Sequence, residues 1–305
     1  MVYFIEQFLN GVELGMLLFL LAAGLTLIFG IMDLVNLAHG SLYMIGAYLA
    51  ATFAAWTDSF VLGAILAVLG SFAVGMVLEV VAIRRLYGRS HLDHVLGTFG
   101  LLLFFNELVR LIWGPAGLTL SLPNEMLTAV QILPGLFYPL YRLVIIGVTL
   151  AVAFFLYVLV MRTRLGMLIR AGASNREMVG ALGVNIKLLY TLIFALGAAL
   201  AGFAGLMQAP ILTVQIGMGE NILISAFVVV TIGGIGSIRG AFVAALLVGL
   251  VDTVGRAFLP DLFHAYLSES AAGSLGRSLS SMLVYLVMAL VLIVRPEGLF
   301  PAASK

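Results

Sequence analysis

Long stretches without charge decide what this chain can become. From Leu14 to Met32, Leu37 to Trp56, Ser59 to Leu78, Leu143 to Met161, Leu188 to Ala209 and Ser278 to Val294 there is no Asp, Glu, Lys or Arg. In Val95 to Trp113 only Glu107 and Arg110 intervene. An ionised side chain at the centre of a bilayer costs about 2.5 to 3.5 kcal/mol on insertion scales, so apolar runs of about 20 residues free of charge mark membrane-spanning helices. Composition agrees. Of 305 residues, 63% are hydrophobic and 10% charged, whereas a soluble domain is about a quarter charged. The chain lacks the polar surface to cover a water-soluble core.

Two shorter apolar pieces, Asn221 to Ile238 and Gly240 to Val251, flank the sequence GGIGSIRG. They are either two spans or one broken pair of half-helices. The expected fold is therefore all-α: a polytopic integral membrane protein of about 8 to 9 transmembrane helices with broken or half-helices, forming one transmembrane domain over residues 1–305. The length leaves no room for an appended catalytic domain. The start, MVYFIEQFLNGVELG, has no Lys or Arg and so lacks the basic flank of a cleavable signal peptide. The first run is expected to persist in the mature protein.

Orientation follows from Lys and Arg, which cytoplasmic loops retain. With nine crossings and an outside N-terminus, Arg84, Arg85, Arg89, Arg162, Arg164, Arg170, Arg176, Lys187, Arg239, Arg295 and Lys305 fall inside. Arg110, Arg142, Arg256 and Arg277 fall outside. The C-terminus is then cytoplasmic. Two outer segments, Gly114 to Tyr141 with its four prolines and Pro260 to Arg277, read as connectors or as small folded elements.

The most informative polar stretch is residues 162–187, RTRLGMLIRAGASNREMVGALGVNIK. Ser174 with Glu177 three residues on matches a capping box, and Gly183 supplies a left-handed stop. The bracketed helix, Asn175 to Leu182, is short for stability on its own. Met178, Val179 and Leu182 can form one apolar stripe beside Arg176 and Glu177. Such a helix either docks in a partner's groove or lies on the lipid surface.

Two junctions are rich in glycine and polar residues. Asp33, Asn36, His39 and Gly40 cluster at the first; Gly233, Gly234, Gly236, Ser237 and Gly240 cluster at the second. Both are placed near the inner face. Broken backbone at membrane depth is tolerated where it lines a cavity, and helix N-termini present N–H groups to a carboxylate. Asn36, His39, Gly40, Gly233, Gly234, Gly236 and Ser237 are thus candidates for a translocation pathway, the alternative being tight turns between closely packed helices. Glu107 with Arg110 and Asp252 with Arg256 are spaced to pair on single helix faces, and are read as neutralised pairs near the outer ends of their spans. Glu79 is read as part of the inner rim.

Several chemistries are missing. There is no G-x-x-x-x-G-K-[ST] loop for ATP and no H-E-x-x-H zinc motif. Cysteine is absent and only four histidines occur, so no metal site is expected, nor any cofactor bound by this chain. A net charge of +1 gives no reason to expect a nucleic-acid partner.

Residues 162–187 resemble the coupling loop of ATP-binding-cassette (ABC) importer permeases. The stretches GLTLIFGIMDLVNLAHGSLYMIGAYLA, VVVTIGGIGSIRGAFVAALLVGLVD and the terminal RPEGLF resemble the high-affinity branched-chain amino acid permeases of the LivH type, over nearly the whole chain. The resemblance implies a permease subunit of the bacterial cytoplasmic membrane, with an ABC importer permease fold. It implies a second homologous permease, two ATPases that hold ATP and magnesium, and a periplasmic substrate-binding protein as partners, with lipid around the spans. It also implies that transport rather than catalysis is the function. A related small substrate such as urea or a short amide, an ion-coupled secondary transporter, or an intramembrane enzyme using Asp33 and Asp252 are the alternatives.

Overall fold

The computed structural model describes residues 2–264 and 269–300; Lys305 of the orientation count lies outside them. The chain forms eleven α-helices among the described residues: α1 (Val2–Met32), α2 (His39–Thr57), α3 (Phe60–Val81), α4 (His91–Trp113), α5 (Leu140–Arg162), α6 (Arg164–Ser174), α7 (Arg176–Ala181), α8 (Ile186–Gln208), α9 (Met218–Gly233), α10 (Ile238–His264) and α11 (Glu269–Val294). Between α4 and α5, Ala129–Leu133 (β1) and Leu136–Pro139 (β2) make an antiparallel hairpin. This hairpin is the only sheet among the described residues, so the molecule is helical as expected.

Helices α1, α3, α4, α5, α8, α10 and α11 are each long and apolar enough to cross a bilayer. The shorter α2 and α9 complete the nine membrane pieces foreseen in the sequence. Helix α9 has 16 residues, about 24 Å of rise, less than the roughly 30 Å of a hydrocarbon core. Helix α10 is longer than the piece Gly240 to Val251 suggested. It continues through Pro260 to His264, and α11 already begins at Glu269. Of the segment Pro260 to Arg277, read as a connector or a small folded element, residues 265–268 lie outside the described residues and the rest is helix. Gly276 lies against the backbone of Pro260, so α10 and α11 pack together here, in line with the folded alternative.

Small residues place α1 and α8 at the centre. The apolar centres of these two helices are 83% and 78% buried within the protein, against 22% for α4, 17% for α5 and 12% for α11. Helix α8 reads FALGAALAGFAGL, and such small side chains allow close backbone approach where lipid supplies no hydrophobic drive between helices. Gly202 of α8 lies against Gly46 of α2, and Gly197 against Gly24 of α1. Helices α4, α5 and α11 present Phe104, Leu111, Phe154 and Ile293 outward, which suits a lipid-facing rim.

Polar ties close the two ends of the bundle. At the end carrying the hairpin, Arg142 of α5 pairs with Glu13 of α1 at 3.3 Å, and the Tyr138 hydroxyl donates to Asn10 Oδ1 at 3.1 Å. At the end carrying α7, Glu79 is fully buried. Arg84 Nη2 sits 2.8 Å from its carboxylate, Tyr87 donates to it at 2.6 Å, and the Thr191 hydroxyl donates at 2.7 Å. Burial and the Glu79 hydrogen bond hold the Tyr87 phenol well above its ordinary pKa, so it stays a donor. The cluster joins the end of α3 to the start of α8.

Candidate functional site

The segment from α6 to α8 is built from successive caps. Thr163, extended, accepts from the Gly166 N–H at 3.1 Å and starts α6. Helix α6 was not foreseen, although Thr163 followed by Leu165, Leu168 and Ile169 at helical spacing is a legible start. Its last turn absorbs Ser174, because the Asn175 N–H bonds to Ala171 O at 2.9 Å. A helical residue cannot serve as the cap of the next helix, so the expected Ser174 capping box is corrected. Asn175 has extended backbone, and its Oδ1 accepts from Met178 N at 2.9 Å. The helix is correspondingly shorter than Asn175 to Leu182. Gly183 has φ +87° and ends it, with Val184 N donating to Val179 O at 3.3 Å, the 6→1 closure of a Schellman motif.

The expected apolar stripe divides. Val179 is buried at 6% exposure, while Met178 and Leu182 are 59% and 77% exposed. Val179 anchors α7 to the bundle, and the other two, four residues apart, project together beside Glu177. The side chain of Arg176 lies outside those described.

The two glycine-rich junctions lie at different depths. After α1 ends, Asp33 takes a left-handed conformation with φ +53° and the chain turns back along the bundle. The Leu37 N–H donates to Thr98 Oγ1 of α4 at 3.1 Å, and His39 Nε2 lies 3.1 Å from Leu21 O. From Leu21 to the end of α1 is about 16 Å of helix rise. Helix α2 thus begins deep in the bundle, and the expectation that this junction sits near a membrane face is corrected. Asn36 and His39 are fully buried. Both polar atoms of the Asn36 side chain, His39 Nδ1, Thr26 Oγ1 and Ser41 Oγ have no hydrogen-bond partner within the protein. Gly40 lies directly on Gly219, at the start of α9, with no room for a Cβ on either.

Gly233, Gly234, Gly236 and Ser237 form the turn from α9 to α10. The Ser237 hydroxyl accepts from Gly240 N at 3.1 Å, as a cap does. The C-terminal RPEGLF segment closes over this turn: Leu299 N donates to Ile232 O at 2.8 Å and Phe300 N to Gly233 O at 3.1 Å. Gly236 meets α1 at Gly30, whereas His39 meets it at Gly24. The structure therefore does not join the two predicted clusters. The partner of the Asn36–Gly40 junction is Gly217–Gly219, where Gly217 has φ +83°. Pro210, Gly217 and Gly219 were the breakers in the sequence that could have revealed it.

Near the Gly217–Gly219 junction, toward the hairpin end, lies a cavity of about 580 Å³. Leu14 and Leu17 of α1, Ile222 and Val228 of α9 and Val248 of α10 give it aliphatic walls. Gln208, Gln215, Asn221 and Ser225 add uncharged polar groups, and Tyr43 of α2 reaches it. Asp252 and Arg256 also line it, paired as the spacing foretold, with Arg256 Nη2 2.8 Å from Asp252 Oδ1. The similar Glu107–Arg110 pair, at 3.1 Å, is exposed on α4. A hollow with aliphatic walls and a few polar groups, beside a broken helix, suits a small amphiphilic solute.

Fold and site together define a polytopic helical membrane protein of transport type. The family model described as "Branched-chain amino acid transport system / permease component" matches residues 7–292. The chain belongs to this family of permease components. It is 31% identical to the high-affinity branched-chain amino acid transport system permease protein BraD of Pseudomonas aeruginosa, over 97% of this chain and 95% of that one. It is 30% identical to the permease proteins named LivH of Salmonella typhimurium and Escherichia coli, over 97% of each chain. No solved structure matches.

Proposed function

We propose that the chain is the membrane-spanning permease subunit of an ABC importer carrying leucine, isoleucine and valine across the bacterial cytoplasmic membrane. The observation that carries this reading is the full-length similarity to permease proteins of that system. The aliphatic walls of the cavity support the substrate class. The chain has no ATP-binding loop, so ATP and magnesium belong to two separate ATPase subunits. These dock at the end carrying α7, which the Lys and Arg asymmetry assigns to the cytoplasm, with the N-terminus periplasmic. A binding protein delivers substrate at the hairpin end, and a second homologous permease completes the membrane unit.

In this mechanism Met178 and Leu182 seat α7 on an ATPase, while Val179 and the Thr163 and Asn175 caps couple α7 to α5, α6 and α8. ATP-driven closure of the ATPases then shifts the balance between two arrangements of the bundle. The test is uptake of labelled leucine by proteoliposomes holding the complete complex. Uptake requires internal ATP and external binding protein, and Met178→Asp with Leu182→Asp abolishes both uptake and ATPase attachment. Uptake driven by an ion gradient without ATP would refute the reading.

A further inference from the structure

Four ion pairs occur among the described residues, and they differ in what they hold. Glu13–Arg142 joins α1 to α5, and Glu79–Arg84 gathers Tyr87 and Thr191 into a tie between α3 and α8. Glu107–Arg110 and Asp252–Arg256 each lie within one helix, so neither holds two elements together. An intrahelical pair outside the core contributes little to stability. Of these two, Asp252–Arg256 alone borders the cavity of about 580 Å³.

Its chemistry is the complement of an amino acid. Arg256 Nε lies 2.9 Å from both Asp252 oxygens, with Nη2 2.8 Å from Oδ1. A guanidinium has five N–H groups in a fork that matches a carboxylate, and a carboxylate accepts several more hydrogen bonds. A zwitterion carries one carboxylate and one ammonium next to each other. It can exchange with the pair, its carboxylate on Arg256 and its ammonium on Asp252, without leaving any charge unmatched. The paired wall has no net charge, so it does not hold a lone ion by Coulomb attraction. Leu14, Leu17, Ile222 and Val248 stand on the same cavity to receive an aliphatic side chain.

We propose that Asp252 and Arg256 form the site at which this permease receives the zwitterionic head of its amino-acid substrate during transit. The proposal rests on the reading of the chain as an amino-acid importer. The experiment compares wild type, Asp252→Asn, Arg256→Gln and the control Glu107→Gln with Arg110→Gln, each in the complete transporter in proteoliposomes. Leucine uptake and ATP hydrolysis stimulated by loaded binding protein are both measured. Losing a hydrogen bond to a charged group corresponds to about tenfold. Uptake is expected to fall about tenfold in each cavity variant, while stimulated hydrolysis and the control stay within about twofold of wild type. Normal uptake in either assembled cavity variant overturns the proposal alone. Wild-type complex that takes up no amino acid overturns the importer reading with it. If one cavity variant fails to assemble, the other decides by the same criterion.

Discussion

The two glycine-rich junctions look alike in sequence and do different work in the structure. At Asn36–Gly40 the chain turns back into the bundle, so α2 starts beside Leu21 and against Gly219. Buried polar atoms there are left without protein partners. At Gly233–Ser237 the chain makes a turn packed against Gly240, Gly30 and the backbone of Glu297, Gly298, Leu299 and Phe300. Glycine serves close approach in both. Only the first lies deep in the bundle with buried polar groups that lack a protein partner.

The contrast can be broken most forcefully at Gly40. Gly40→Val drives a branched side chain into the Gly219 backbone, and overpacking of this kind costs about 3 kcal/mol or more. Expected is loss of monodisperse complex or a large fall in unfolding temperature in detergent; a normal melting profile would mean that α2 and α9 do not meet as described. Next in size is removal of residues 299–305, which deletes two backbone hydrogen bonds worth about 1 kcal/mol each. Hydrogen exchange should speed up around residues 230–237 and stay slow at 36–42. Equal acceleration at both would show that the junctions are one cooperative unit.

Away from the membrane interior, Asn175→Ala should weaken ATPase binding about fivefold, the equivalent of a lost cap of about 1 kcal/mol, whereas Ser174→Ala should leave it unchanged. The reverse ranking would restore the capping box suggested by the sequence. The smallest effect on stability is expected at Asn36. Replacing an unpartnered buried amide by Leu should leave the melting temperature unchanged or raise it, while uptake falls severalfold. A marked loss of stability would place Asn36 among the structural groups with the second junction.

The nine membrane pieces were legible because charge is costly in hydrocarbon, and Gly183 because a left-handed stop favours glycine. Ser174 misled because a cap depends on where the previous helix ends, and α6, which was not foreseen, takes Ser174 as its last residue. The stripe of Met178, Val179 and Leu182 misled for a related reason. Spacing says which residues share a face, but only the neighbouring helices decide which of them is covered. The Gly217–Gly219 junction was readable as a set of breakers, yet its pairing with Gly40 joins residues far apart in the chain. Asp252 and Arg256 were correctly paired, while the cavity beside them is formed by α1, α9 and α11 as much as by α10.

The residues alone determined that this chain is a helical bundle of the membrane, and that a short capped helix stands between two spans. These are local consequences of desolvation, propensity and capping. The tertiary structure decided which broken helix enters the bundle, which turn is merely closed by the C-terminal segment, and which ion pair faces a hollow. Each of those depends on contacts between distant segments, and the spacing of residues along one helix cannot encode them.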